Sequence, residues 1–230
     1  PVYVGAIVCF LFVLGLFLIK GPMKWWLLIT TIVAIILAWG KNFLWFNELM
    51  FDYFPAYNKF RTVSMTLVMA EFAMPLLGIL AIKEIINNNI DKKTFMNTLK
   101  KSLYITGGIC VLFILMPGLF FNFEGTIDAR LAAAGWPEIF LQALRDDRKM
   151  LLQKDAFRSL LFIVMASGLL YAFYLKKIKL NNFYVLLGLL ILFDMWPVNK
   201  RYLSNEDFVS KKEARNPFNP TRADKLILQD

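Results

Sequence analysis

The sequence contains no histidine among its 230 residues, and only two cysteines, Cys9 and Cys110. The absence of histidine excludes imidazole acid–base catalysis and histidine-ligated metal sites in this chain. Both cysteines lie inside long apolar stretches, where cysteine usually packs as a small apolar residue, so we predict neither a disulfide nor a metal site. The chain also lacks a Walker loop, a dinucleotide-binding glycine fingerprint and a nucleophile elbow. These absences exclude ATP hydrolysis, and we predict no cofactor.

Long hydrophobic stretches are what the sequence has in abundance, and hydrophobic residues make up 58% of it. About 20 apolar residues cross the hydrocarbon core of a membrane as a helix, and interfacial Trp, Tyr or Lys can complete a shorter run. We therefore predict an all-α, polytopic transmembrane helix bundle. Its six spans lie near residues 2–19, 25–40, 65–85, 102–121, 158–175 and 183–197. Pro75 and Pro117 should kink or break the third and fourth of them.

The net charge of +9 is distributed unevenly between the loops. The loops that follow spans one, three and five are strongly basic, whereas the other two are nearly neutral. Short loops rich in Lys and Arg stay in the cytoplasm. This alternation places both ends of the chain and the loops 41–64 and 122–158 on the outer side. The basic excess therefore indicates topology, so we predict membrane lipids and no nucleic acid as partners.

Two segments are predicted to form structure outside the membrane. Within 136–158, Phe140, Leu144 and Leu151 recur at near-helical spacing among charged residues, which predicts an amphipathic helix on the outer face that leads into the fifth span. Residues 1–203 form the predicted bundle. Residues 204–230 are polar and carry two Asn-Pro pairs, so we expect an outer-face connection to a missing downstream region of a longer protein.

Lys59 and Arg61 lie on the predicted outer side, against the charge bias, and therefore call for an explanation. Arg presents a planar fork that binds phosphate oxygens, and Lys adds a compact charge. With the neighbouring Asn58 and Tyr57, the pair is a candidate phosphate site. The alternative is a snorkelling pair at a helix end, held by Asp52 or by lipid head groups.

Glu71 and Asp194 are acidic residues inside predicted spans. Placing an acid at the centre of a spanning helix costs about 2.5 to 3.5 kcal/mol, so such residues usually face the bundle interior or a wet cavity. We treat both as a candidate intramembrane polar site. The structural alternatives are that Glu71 pairs with Arg61 or another bundle residue, and that Asp194 anchors its helix end. Asp146–Asp147 is flanked by basic residues, which favours a solvated charged face over a metal site.

Two short runs resemble the YfhO-like family of bacterial integral membrane proteins: DYFPAYNKFR at 52–61 and DMWPVNKRYL at 194–203. That family is similar to the GT-C class of glycosyltransferases. The resemblance implies a fragment of a GT-C-like transferase in the bacterial inner membrane, which uses a polyprenyl-phosphate-linked sugar donor on the outer face. Lys59 and Arg61 would then hold the carrier phosphate, and other envelope proteins would be further partners.

One departure from that class leaves the enzymatic assignment open. GT-C enzymes generally carry their catalytic acid in the first outer loop, which we expect upstream of this fragment, so no catalytic residue is assigned. A lipid or polysaccharide-precursor transporter is the first alternative, favoured by Glu71 and the proline-interrupted spans. A non-catalytic membrane scaffold subunit is the second.

Overall fold

The computed structural model of the protein describes residues 2–55, 57–59, 63–87, 90–204 and 207–209, together with Asp224 and Ile227. Every regular element in this part of the chain is helical, which confirms the predicted all-α class. The α-helices are α1 (Ala6–Leu18), α2 (Met23–Ala38), α3 (Leu44–Tyr53), α4 (Leu67–Ile86), α5 (Lys92–Leu115), α6 (Thr126–Ala133), α7 (Glu138–Tyr174) and α8 (Leu180–Tyr202). Short 3-10 helices lie at Gly40–Phe43, Tyr57–Lys59, Val63–Thr66 and Pro117–Leu119.

Several of these helices are long and apolar enough to cross a membrane. Among the described residues, four pass by length and composition: α4, α5, α7 and α8. A fifth span results if α2 and the helical segment Gly40–Tyr53, which bend by 110° against each other, count as one. Gly40 at this bend has φ +54°, a conformation that glycine adopts readily. The helix α1 is also apolar, with 13 residues. The chain is a multi-pass membrane protein.

The chain divides into two compact units, a bundle unit (Val2–Met195) and a terminal unit (Trp196–Asp230). In the terminal unit, the Lys200 ammonium lies 5.9 Å from the centre of the Trp196 ring. The Ser204 amide donates a hydrogen bond of 2.6 Å to Asp207. The predicted polar connection 204–230 falls mostly outside the described residues.

Helix α1 lies at the centre of the bundle unit, where it packs against α4, α5 and α7. Close approach to α4 depends on small residues. A Cβ built at Gly15 would lie 2.8 Å from the Leu77 carbonyl oxygen, and one at Gly78 would lie 3.0 Å from the Leu11 Cβ. Glycines at such crossings let membrane helices gain backbone-level packing contacts that larger residues prevent.

Helix boundaries follow local chemistry. Helix α5 begins at Lys92, ten residues before the predicted fourth span, because the Asp91 side chain accepts a 2.9 Å hydrogen bond from the Thr94 amide and caps it. It ends at Leu115, because Pro117 cannot continue the helix. Helix α4 runs through Pro75 without ending.

The segment 136–158 is helical from Glu138 onwards and is continuous with the fifth predicted span, as the spacing predicts. Both belong to α7, a single helix of 37 residues. Its charged half holds the short helix α6, which the sequence analysis missed. Arg148 donates to the two oxygens of Asp128 at 2.7 and 2.6 Å and to the Phe123 carbonyl at 2.8 Å.

The Asp128 carboxylate is almost fully buried at the junction of α6 and α7. Its pKa lies well below the usual range, chiefly because Arg148 donates to it and also because the Gly125 amide does, at 3.0 Å. Arg145 lies at 3.9 Å from the same carboxylate and 3.5 Å from Glu138. Part of the charged face predicted near Asp146–Asp147 is thus a bonded junction between two helices.

Candidate functional site at one end of the helix bundle

Asp194, in the last turns of α8, is only 1% exposed and lies at the centre of a polar network. The Tyr3 hydroxyl donates to its Oδ1 at 2.8 Å, and the Ile7 amide donates to its Oδ2 at 3.2 Å. The Ile7 amide belongs to the first turn of α1, where backbone N–H groups have no partner within the helix. The carboxylate therefore supplies an acceptor that the helix itself cannot provide.

Arg158, on α7, completes this network. One guanidinium nitrogen donates to the Tyr3 hydroxyl at 3.0 Å and lies 3.9 Å from Asp194 Oδ1, and the other donates to the Asp194 carbonyl at 3.4 Å. The guanidinium carbon lies 5.6 Å from the Tyr3 ring centre, within the range of a cation–π contact. A cation and an anion at one depth in the bundle lower each other's cost of leaving water. The network thus ties α1, α7 and α8 together.

Gly5 allows the chain to pass close to the carboxylate. Its φ is +97°, and a Cβ built there would lie 3.2 Å from Asp194 Oδ2. Any larger residue would both strain the backbone and crowd the carboxylate. The network therefore depends on a turn that precedes α1 as well as on the three polar side chains.

A cleft of about 380 Å³ adjoins the network. It lies between α1, α4 and α8, and Tyr3 belongs to both the network and the cleft wall. Glu71 is exposed at the cleft, one turn before Pro75 on α4. The lining residues are Tyr3, Val4, Val8, Leu11, Glu71, Pro75, Gly78, Ile79, Ile82, Ile191 and Met195.

The cleft is apolar except for Glu71 and the edge of Tyr3. An apolar groove of this kind can hold a hydrocarbon chain, whereas a carboxylate at its side can accept hydrogen bonds from hydroxyl groups. A carboxylate repels phosphate, so a phosphate group would need cations from elsewhere. Within the part of the chain that the structure describes, no group of three His, Cys, Asp or Glu residues could hold a metal ion.

The residues of the predicted phosphate site are described only in part. Tyr57 is buried, and its hydroxyl donates to Asn47 Oδ1 at 2.9 Å. This hydroxyl ties the 3-10 helix Tyr57–Lys59 to α3, and burial raises its pKa. Lys59 is exposed. Arg61 and the side chain of Asn58 lie outside the described residues.

The sequence analysis named Glu71 and Asp194 but missed Tyr3 and Arg158. The structure places Glu71 at the cleft and Asp194 in the adjoining network, with Tyr3 shared by both. Arg158 stands at the start of the fifth apolar stretch, at the same predicted depth as Asp194. Opposite charges at matching depths in two spans were the signal that could have identified the pair.

Comparison with known proteins adds no further constraint on the site. No protein-family model, no curated protein sequence and no solved structure matches this chain. The function is therefore inferred from the geometry of the cleft and of the network beside it.

Proposed function

We propose that this chain is part of a GT-C-like membrane glycosyltransferase, which binds a polyprenyl-phosphate-linked sugar on the outer face of the bacterial inner membrane. The observation that carries the proposal is the apolar cleft with Glu71 at its side. The donor combines a long hydrocarbon chain with a hydroxyl-rich head, and the cleft offers one surface suited to each. The resemblance of the runs 52–61 and 194–203 to the YfhO-like family supports the same reading.

The proposed topology has six spans with both chain ends outside. Helix α1, the bent pair of α2 and Gly40–Tyr53, and the four long helices supply six apolar segments. The alternation of basic loops then puts the Asp194 network, the cleft and the charged half of α7 at the outer side. In this topology, the first half of α7 is the predicted amphipathic helix on the outer face.

Each polar group has a distinct proposed role. Glu71 accepts hydrogen bonds from sugar hydroxyls of the donor or from the acceptor, because its charge disfavours phosphate. Lys59 and Arg61 bind the carrier phosphate and stabilise it as the leaving group, an electrostatic role. The Tyr3–Arg158–Asp194 network holds α1 and α8, two of the three helices that form the cleft walls, against α7.

The cleft is tested with a photoactivatable polyprenyl-phosphate sugar analogue and the purified protein. Ile79→Trp should lower crosslinking about tenfold, because excluding two methylene groups from the cleft costs about 1.6 kcal/mol. Val68→Trp is the matched control: Val68 is exposed on α4 as Ile79 is, but does not line the cleft. Equal crosslinking of both variants would show that the lipid chain binds elsewhere.

The role of Glu71 is tested by comparing two ligands. Glu71→Gln should weaken binding of the sugar-bearing donor by about tenfold, because a neutral amide accepts a weaker hydrogen bond than a carboxylate. Binding of polyprenyl phosphate without sugar should not weaken, because the carboxylate repels phosphate. Glu84→Gln, at the other end of α4, is the charge-matched control and should affect neither ligand.

The phosphate role is tested at Arg61. Arg61→Lys should weaken carrier binding by about tenfold through loss of the planar fork, and Arg61→Ala by more. Thermal stability in detergent is measured in parallel. Unchanged affinity with lowered stability would identify the pair as a structural anchor.

A transporter of lipid-linked precursors is the second candidate, favoured because Glu71 and Pro75 lie on the same cleft. A proline inside a spanning helix frees a carbonyl group and gives a point where the helix can bend. If the chain is such a transporter, purified protein in liposomes should move a fluorescent lipid-linked sugar between the two leaflets. Binding without movement favours the transferase.

A further inference from the structure

A second pocket lies at the opposite end of α4 from Glu71. Ile85 and Ile86 are 14 and 15 residues further along this helix, which corresponds to about 21 Å. Together with the end of α7 and the residues after it, they line a pocket of about 430 Å³. The lining residues are Ile85, Ile86, Phe173, Tyr174, Lys176, Lys177, Ile178 and Lys179.

The turn that ends α7 presents three lysines to this pocket. The Lys176 amide donates to the Phe173 carbonyl at 2.8 Å, and the Lys177 amide donates to the Ala172 carbonyl at 3.1 Å. This pair of bonds defines a Schellman motif, in which the residue at the Lys176 position is left-handed and is usually glycine. Lys176 adopts φ +60° there despite its side chain. A lysine thus occupies a position where glycine would fit with less backbone strain.

The position of the turn is fixed by its surroundings. The Tyr174 hydroxyl donates to the Ile90 carbonyl at 2.9 Å, and the Tyr174 ring stacks on Phe95 with centres 4.0 Å apart. Phe173 stacks on Phe183 at 4.3 Å. Because both residues before the turn are held by these contacts, the lysines project from a fixed base.

The charges of the turn are not balanced locally. Lys176, Lys177 and Lys179 are exposed, and no ion pair between them and a carboxylate is found among the described residues. Three like charges within four residues repel one another, and an anion in the pocket would relieve this repulsion. The negative end of the α7 dipole offsets part of it but supplies no ligand.

We propose that this pocket binds the phosphate head group of an acidic membrane lipid. The three ammonium groups contact the phosphate, and the lipid chain runs along Ile85, Ile86 and Ile178. In the topology proposed above, the loop faces the cytoplasm, where anionic lipids attract basic segments beside spanning helices. The site is independent of the Glu71 cleft and does not require the proposed transferase function.

The test uses the full chain in neutral detergent, titrated with short-chain phosphatidylglycerol or phosphatidylcholine, with bound lipid counted by native mass spectrometry. The variant K176G/K177Q/K179Q should bind phosphatidylglycerol at least about tenfold more weakly than the unmodified protein. Binding of phosphatidylcholine should not change. Loss of both lipids in parallel would overturn the proposal.

The matched control removes three lysines from a separate basic surface. Lys92, Lys93 and Lys100 line another pocket, on α5, and are exposed as the first set is. The variant K92Q/K93Q/K100Q should retain phosphatidylglycerol binding to within about twofold. An equal loss in this variant would show that only overall charge attracts the lipid, which would overturn the site.

Two further arms remove the remaining ambiguities. Lys176→Gly should leave the thermal midpoint unchanged or raise it, because glycine is favoured in the left-handed position. If the triple variant fails to fold, K177Q/K179Q replaces it.

Glycerol 1-phosphate and inorganic phosphate distinguish a lipid from a soluble phosphate. Either one saturating the pocket as readily as phosphatidylglycerol would contradict a lipid ligand.

Discussion

A single carboxylate, Asp128, holds the short helix α6 against α7. Its replacement by asparagine removes the ion pair with Arg148 while keeping a side chain of the same shape. We expect the amides of α6 to exchange with deuterium about tenfold faster in Asp128→Asn, because local opening becomes easier. Asp146→Asn, at a nearby charged position on α7, is the control and should leave α6 exchange unchanged.

The Asp128 pair should also respond to acid. Because its pKa is lowered in the folded protein, the pair contributes fully above the unfolded-state value of about 4, and the contribution is lost as pH falls below that value towards the folded-state pKa. The difference in thermal midpoint between the unmodified protein and Asp128→Asn should therefore shrink below pH 4. A difference that stays constant with pH would contradict the assignment of the pKa shift to this pair.

The Arg158–Asp194 pair allows a double-mutant cycle. Arg158→Met should cost about 2 kcal/mol, less than the 3 to 5 kcal/mol of a fully buried broken pair, because Asp194 keeps Tyr3 and the Ile7 amide. Adding Asp194→Asn to this variant should recover part of the loss. Detergent unfolding of the four proteins measures the coupling, and additive losses would show that the pair contributes nothing. Lys154→Met, an exposed position on α7, is the control.

At the scale of elements, the crossing of α1 and α4 depends on Gly15. A Cβ there would lie 2.7 Å from Leu77 Cγ and 2.8 Å from a backbone oxygen, so the helices would have to separate. We expect Gly15→Ala to destabilise the bundle by about 1 to 3 kcal/mol, the usual cost of overpacking. Gly168→Ala is the matched control inside α7: nothing lies within 4 Å of a Cβ there, so its helix propensity should make it neutral or stabilising. Equal thermal midpoints for both variants would contradict close packing at Gly15.

The long apolar helices could be predicted from the sequence, but several boundaries and the short helices α3, within the predicted outer loop 41–64, and α6 could not. Apolar runs indicated where spanning helices lie, and the spacing of Phe140, Leu144 and Leu151 indicated the charged half of α7. Hydropathy gave no signal for the first ten residues of α5, because seven of them are polar, and their start is fixed by the Asp91 cap. Helix α6 has eight residues, too few for a periodic pattern, and its place depends on a partner 20 residues away.

Residues of the candidate site could be predicted only where the residue type was itself unusual for its position in the sequence. Glu71 and Asp194 could be found because an acid in an apolar run is costly wherever it points. Tyr3 could not, because a tyrosine near the end of a span is ordinary, and its contact with Asp194 joins positions 191 residues apart. The cleft itself depends on how three helices pack, which no local pattern specifies.

At the scale of the whole molecule, the proposed topology predicts which positions are accessible from outside the cell. In a background with Cys9 and Cys110 replaced by alanine, a cysteine at Asp147 should react with an impermeant reagent in intact cells, and a cysteine at Lys92 should not. Permeabilised cells should label both, which controls for reactivity. Labelling of position 92 alone in intact cells would overturn the topology.

Helix α7 is a single long helix that two polar contacts hold in place. With 37 residues it is about 55 Å long, well beyond a hydrocarbon core of about 30 Å. Arg148 fastens it to α6 and Arg158 fastens it to the Asp194 network, and ten residues, or about 15 Å, separate them. A helix held at two points resists both rotation about its own axis and sliding along it. We therefore expect the position of α6 to be coupled, through Arg148, α7 and Arg158, to the position of Tyr3 at the cleft wall.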